Sequence, residues 1–138
     1  MQPKIALITI LTDTIGPMVR FYRDVLGFRP LGAIDEENLS YTEFESEGVR
    51  FAICPRSILA QFTGHASFSE PTRGQAFELA FPCNSPADVD VAYAVILEKG
   101  ATPVQAPATM PWNQRTAFFA DPDGNIHELF ADLPKQGG

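Results

Sequence analysis

The chain carries the same order of signals twice, and this repeat limits its possible folds more than any other feature. In the first half, residues 5–11 form an apolar, β-branched run that reads as a buried strand. Gly16-Pro17 opens a helix, with proline suited to its first turn. Met18, Tyr22, Val25 and Leu26 recur at helical spacing, and Gly27 caps the C-terminus. Strands are then expected at residues 28–34, 41–44 and 49–54, separated by the turns Asp35-Glu36-Glu37-Asn38 and Glu47-Gly48. The second half runs strand (77–81), helix, and three strands near 102–106, 116–120 and 126–130. Ser85 is the expected N-cap of that helix, with Pro86 in its first turn and Asp88 three residues on. Val89, Ala92, Tyr93, Ile96 and Leu97 make one face, and Gly100 ends it. Asp123-Gly124 turns the chain into the last strand.

The copies superpose at a period of about 70 residues. Phe21-Tyr22, Gly27 and Arg29-Pro30 parallel Ala92-Tyr93, Gly100 and Thr102-Pro103, and Gly48 parallels Gly124. The expected architecture is α+β, with two βαβββ modules in tandem, residues 4–54 and 75–131, forming a mixed sheet around a cleft. All 138 residues are read as one domain. The connector, residues 55–74, is polar and holds Phe62 and Phe68; its length suits a functional loop or lid as well as a plain connection.

Composition narrows the partners. Ten Lys and Arg against 17 Asp and Glu leave a net charge of −7. Such a surface repels phosphate backbones and anionic lipid, so neither nucleic acid nor membrane is an expected partner. A cationic small molecule is mildly favoured. The N-terminus lacks a signal-peptide pattern, and no stretch approaches the roughly 20 apolar residues of a membrane helix. Cys54 and Cys83 are too few for a disulfide framework and lack CxxC spacing. The reading is a reduced, cytoplasmic protein.

Phe21-Tyr22-Arg23-Asp24-Val25-Leu26-Gly27-Phe28 resembles the first-helix signature of the vicinal oxygen chelate superfamily, which includes glyoxalase I, bleomycin-resistance proteins and extradiol dioxygenases. Asp121-Pro122-Asp123-Gly124-Asn125-Ile126-His127-Glu128-Leu129 resembles its closing hairpin. The resemblance spans residues 5–131 and implies paired βαβββ modules around a cleft, usually in a homodimer. It implies little about activity, because one fold hosts many functions.

In metal-dependent members, four side chains from the first and last strands of each module hold a divalent ion. Carried onto this chain, the last-strand positions lie four residues after the hairpin glycine, at Glu128 and Ala52. The first-strand positions lie 15 residues before the helix tyrosine, at Glu78 and Leu7, where a one-residue shift along the strand gives Ala6 or Ile8. Glu78 also stands in the His place of the family's His-x-Ala-Phe pattern. Two carboxylates make a poor transition-metal site, so no cofactor is expected; magnesium or manganese with extra waters is the disfavoured exception. Glu78 and Glu128 are instead the candidate acid/base pair or cation hook. One of the two, if they are close, has a raised pKa.

Trp112, Tyr41, Phe51 and Arg115 are the remaining candidate ligand contacts. Trp112 precedes a strand and suits a pocket, an interface or packing at the module junction. Tyr41 and Phe51 line the cleft if their strand phase allows it. Arg115 is an anion anchor or else a solvated strand end. His127 alternates with Glu128 and is expected on the helix side, and His65 lies in the connector. No triad, P-loop or GxSxG pattern occurs. The expected function is small-molecule binding of the bleomycin-resistance type. The alternative is a glyoxalase- or dioxygenase-like lyase, isomerase or oxygenase with a degenerate divalent-metal site.

Overall fold

A computed structural model describes residues 1–135, as two compact units that meet in sequence between Arg73 and Gly74. Unit 1 runs β1 (Leu7–Thr12), α1 (Ile15–Arg20), a π-helical turn (Phe21–Val25), β2 (Thr42–Phe44), β3 (Arg50–Pro55), α2 (Arg56–Thr63) and a 3-10 turn (Ala66–Ser69). Unit 2 runs β4 (Ala80–Pro82), α3 (Pro86–Glu98), β5 (Thr102–Met110), β6 (Gln114–Ala120) and β7 (Ile126–Asp132). The class is mixed α+β, with sheets of three and four strands.

The two sheets share one plan. In each, the first strand pairs in parallel with the last, and the remaining pairs are antiparallel. The orders are β1-β3-β2 and β4-β7-β6-β5. The fourth strand expected in unit 1, residues 28–34, is reduced to one bridge between Pro30 and Phe44. Pro30 lacks an amide hydrogen and Gly32 has a left-handed φ of 81°, so an extended ladder cannot run through them. The connector also differs from expectation, because residues 56–63 form a helix. Gly64, at φ 67°, ends it.

Local chemistry explains the elements that position the site. Ser85 accepts a hydrogen bond from the Asp88 amide at 3.2 Å and caps α3, as the sequence predicts. Val89, Tyr93 and Ile96 are its buried face. They pack in unit 2 with Ala117, Phe119, Leu129 and Ala131, all nearly free of solvent contact. Tyr93 Oη donates to the Phe118 carbonyl at 3.0 Å, so its polar end is satisfied in the core. In unit 1, Met18, Val19 and Tyr22 are wholly buried. Tyr22, Phe28, Phe44 and Phe51 form one aromatic cluster, with ring centroids 5.2–6.2 Å apart.

The β6–β7 turn runs through Pro122-Asp123, closed by the Gly124 amide donating to the Asp121 carbonyl at 2.9 Å, and Asp121 braces it. Buried Asp121 accepts through Oδ1 from the amides of Asp123 and Asn125, both at 3.0 Å, and through Oδ2 from the Asn125 side chain at 2.9 Å. Gly124 has φ 86° and open space where a Cβ would stand. Gly124→Val therefore strains only the backbone. It is expected to cost about 1–2 kcal/mol, read as a lower denaturation midpoint with an unchanged slope. An unchanged midpoint would remove the turn from the account.

Candidate functional site

The two faces of the unit 2 sheet are told apart by α3. Arg115 reaches from β6 to Asp90 on α3 through two hydrogen bonds of 2.6 and 2.7 Å. Strand side chains alternate, so Ala117 and Phe119 share that helix-facing side. Gln114, Thr116, Phe118 and Ala120 face away from the helix. On β7 the partners of those four residues are Asp132, Phe130, Glu128 and Ile126. On β4, Ala80 stands beside Glu128.

Glu128 thus sits mid-strand on the face turned from α3, with Phe118 opposite, Ala80 on its other side and Phe130 two residues along. Its amide donates to the Leu79 carbonyl at 2.9 Å, which fixes its register against the chain entering β4. The side chains of Glu128, Phe118 and Phe130 are half-buried. Glu78, exposed, lies two residues before β4. Burial pushes the Glu128 carboxyl above its ordinary range, and the negative charge of Glu78 pushes it further. No hydrogen bond satisfies the Glu128 carboxyl among the described residues, which leaves it available to a ligand.

The same register places the other two family positions. In unit 1, Thr9 stands beside Ala52 as Ala80 stands beside Glu128, and Leu7 takes the place of Glu78. Ala52 is fully buried and Leu7 is partly exposed. Neither has a donor atom. Among the described residues, no group of three or more His, Cys, Asp or Glu could hold a metal ion. The donors on these positions therefore do not fit a four-ligand divalent site.

The other candidates fall in different places. Phe51 does not line a ligand surface: only 4% exposed, it packs on Tyr22 in the unit 1 core. The reason is strand phase. Phe51 and Ala52 are consecutive, so they cannot share a face. Arg115 is no free anion anchor, because the pair with Asp90 occupies its guanidinium and holds the Asp90 carboxyl below its ordinary range. Trp112 is 58% exposed at the β5–β6 turn. Its Nε1 donates to Gln114 Oε1 at 3.0 Å, and Gln114 Nε2 donates to Asp132 at 2.9 Å, which ties the indole to one end of the Glu128 face. Tyr41 belongs to unit 1, where it lines a cavity of about 300 Å³ with Leu31, Ile34, Leu39 and Glu43. Its hydroxyl donates to Glu43 at 3.0 Å, and Arg50 holds the same carboxylate. His127 is buried on the helix side, where Nδ1 accepts from the Leu79 amide at 3.1 Å. His65 caps the 3-10 turn by accepting from Ser67.

Sequence reasoning missed Phe118, Phe130 and Thr116 as companions of Glu128. The signal was present. Counting five residues either way from Asp123 pairs Phe118 with Glu128, which is the register observed.

Comparison with known proteins gives a consistent result. Residues 4–129 match the model of the Glyoxalase/Bleomycin resistance protein/Dioxygenase superfamily. The uncharacterized protein YraH of Bacillus subtilis (strain 168) is 30% identical over 132 residues, covering 94% of this chain and 99% of YraH. A glyoxalase/bleomycin resistance protein/dioxygenase from Nocardioides superposes with a TM-score of 0.81 at 28% identity, covering 100% of this chain and 91% of the other. A family enzyme from Burkholderia phytofirmans PsJN gives 0.80 at 25% identity, with 93% and 98% covered.

Proposed function

Since the chain belongs to the Glyoxalase/Bleomycin resistance protein/Dioxygenase superfamily, we propose that it is a small-molecule-binding protein that holds an organic cation against Glu128 without a full metal site. The observation that carries this reading is the Glu128 face itself. A half-buried carboxyl, without a hydrogen-bond partner among the described residues, stands between Phe118, Phe130 and Ala80, with a second carboxylate, Glu78, nearby. Aromatic rings and carboxylates attract a cation that water solvates weakly, such as a quaternary ammonium or a planar heteroaromatic cation. Leu7 and Ala52, where metal-dependent relatives supply ligands, support a metal-free site.

A second reading rests on the raised Glu128 pKa. A carboxyl poised to exchange a proton suits an isomerase or lyase of the glyoxalase type that works by proton transfer. The two readings differ in turnover, since a binding protein returns its ligand unchanged.

The test uses Trp112, the single tryptophan, which sits at one end of this face. Its fluorescence is followed while quaternary ammonium and heteroaromatic cations are titrated, beside elemental analysis of untagged protein. Saturable quenching by cations, absent for neutral analogues of equal shape, is the expected result. Near-stoichiometric zinc, nickel or iron surviving dialysis would overturn the proposal in favour of a glyoxalase- or dioxygenase-like enzyme.

The proposal extends to assembly and location. No helix among the described residues is long and apolar enough to cross a membrane. The net charge of −7 disfavours nucleic acid and anionic membrane as partners, and the free thiols of Cys54 and Cys83 fit a reducing, cytoplasmic setting. Among the described residues of its sheet β5 pairs only with β6, leaving an edge, and Val91 and Val95 are exposed on α3. Both features support a homodimer. Sedimentation at micromolar concentration is expected to give twice the chain mass of 15.1 kDa; a monomer would refute it.

A further inference from the structure

The one buried side-chain polar atom without a hydrogen-bond partner among the described residues is Thr116 Oγ1. Thr116 is 0% exposed and lies on β6, on the face that carries Glu128. Its partner across the ladder is Phe130, and its neighbour along β6 on that face is Phe118, itself opposite Glu128. Diagonal neighbours of this kind are about 7–8 Å apart. An unpaired buried hydroxyl destabilises the fold that contains it, and valine would fill the same space without that penalty. A polar group kept at such a cost, on the same face as an unpaired carboxyl, points to a bond made with something outside the chain.

We propose that Thr116 is a specificity-determining residue whose hydroxyl donates to an acceptor oxygen or nitrogen on the ligand, while Glu128 holds the ligand's cationic centre. This rests on the cation-binding reading above and narrows it. The ligand is an organic cation with a hydrogen-bond acceptor about one pleat repeat, roughly 7 Å, from its positive centre. The half-buried Phe118 and Phe130 are its neighbours along and across the strands, and in this proposal the ligand reaches the hydroxyl by displacing these rings. The ligand then slots between two rings, with one polar contact at each end.

Two probes of nearly equal shape separate the two contacts. The para-acetylphenyltrimethylammonium cation carries a carbonyl acceptor, and para-ethylphenyltrimethylammonium does not. Trp112 quenching or calorimetry gives both affinities in the wild type, Thr116→Val, Thr116→Ser and Glu128→Gln. In the wild type the acetyl compound is expected to bind roughly fivefold tighter, the worth of one neutral hydrogen bond. Thr116→Val removes that preference and melts no lower than the wild type. Thr116→Ser keeps the preference, and Glu128→Gln weakens both compounds alike. Equal wild-type affinities, or a preference that survives Thr116→Val, overturn the role of Thr116 and leave the cation reading standing. Failure of both compounds to bind, or indifference to Glu128→Gln, overturns the cation reading and this inference with it. If the valine variant does not fold, Thr116→Ala makes the same comparison, and equal wild-type affinities overturn the role of Thr116 without any variant.

Discussion

Phe51→Ala is expected to destabilise the protein by about 3–5 kcal/mol, the usual result of removing a buried aromatic side chain. The ring is 4% exposed and stands 5.3 Å from Tyr22, 5.2 Å from Phe28 and 5.8 Å from Phe44, centroid to centroid. Its removal takes away the burial of one ring and loosens three others. The cluster joins β2, β3 and the π-helical turn, so the cavity cannot close without moving the backbone. Phe51→Leu, which retains most of the volume, should cost distinctly less. Denaturant titration of the three proteins tests this. A change below about 1 kcal/mol for alanine would mean that the ring is not core. Cation affinity in the folded fraction should stay at the wild-type value, because Phe51 is not on a ligand surface.

Glu128→Gln carries the largest expected effect on binding. A charge-assisted contact is worth about 1.5–3 kcal/mol, so the affinity for an organic cation should fall roughly tenfold to a hundredfold. The amide has the shape of the carboxyl but not its charge, so a shape-matched neutral analogue should bind both proteins equally. Stability should move the other way with pH. The Glu128 carboxyl titrates above its ordinary value of 4.5 in the folded protein, from burial first and Glu78 second. A raised carboxyl pKa means that the folded state favours the protonated form. The associated stability is fully present below pH 4.5, and is lost as pH rises through the raised value. At neutral pH the glutamine variant should therefore melt slightly higher than the wild type, and this advantage should vanish in acid. A variant that melts lower at neutral pH would show that the charge is instead stabilised by a partner.

These tests separate what the chain states locally from what folding adds. The repeat was legible because a strand, a proline-started helix and a glycine-ended helix each follow from a few adjacent residues. Ser85 does cap α3 as expected. Four-residue counts from Gly48 and Gly124 land on Ala52 and Glu128, which the parallel registers with Thr9 and Ala80 place at corresponding points of the two sheets. That alignment survives because hairpin registers are set by short turns. It also made the missing donors at Leu7 and Ala52 readable before any fold was known.

Other features depend on contacts between residues far apart in sequence. Local signals did not decide whether Phe51 or Ala52 faces the helix, because a one-residue change of phase inverts a strand. Packing against Tyr22 decides it. Nothing near Arg115 announces that Asp90, 25 positions earlier on α3, takes its guanidinium. Residues 28–34 have strand-like composition, yet Pro30 and Gly32 leave a single bridge. The sequence by itself determined the modules, the family and the positions of Glu78 and Glu128. The tertiary structure alone decided which face each side chain meets, which charges are already paired, and that Thr116 has no hydrogen-bond partner among the described residues. Periodicity and turn chemistry act over a few residues, whereas burial and ion pairing are properties of surfaces assembled from distant parts of the chain.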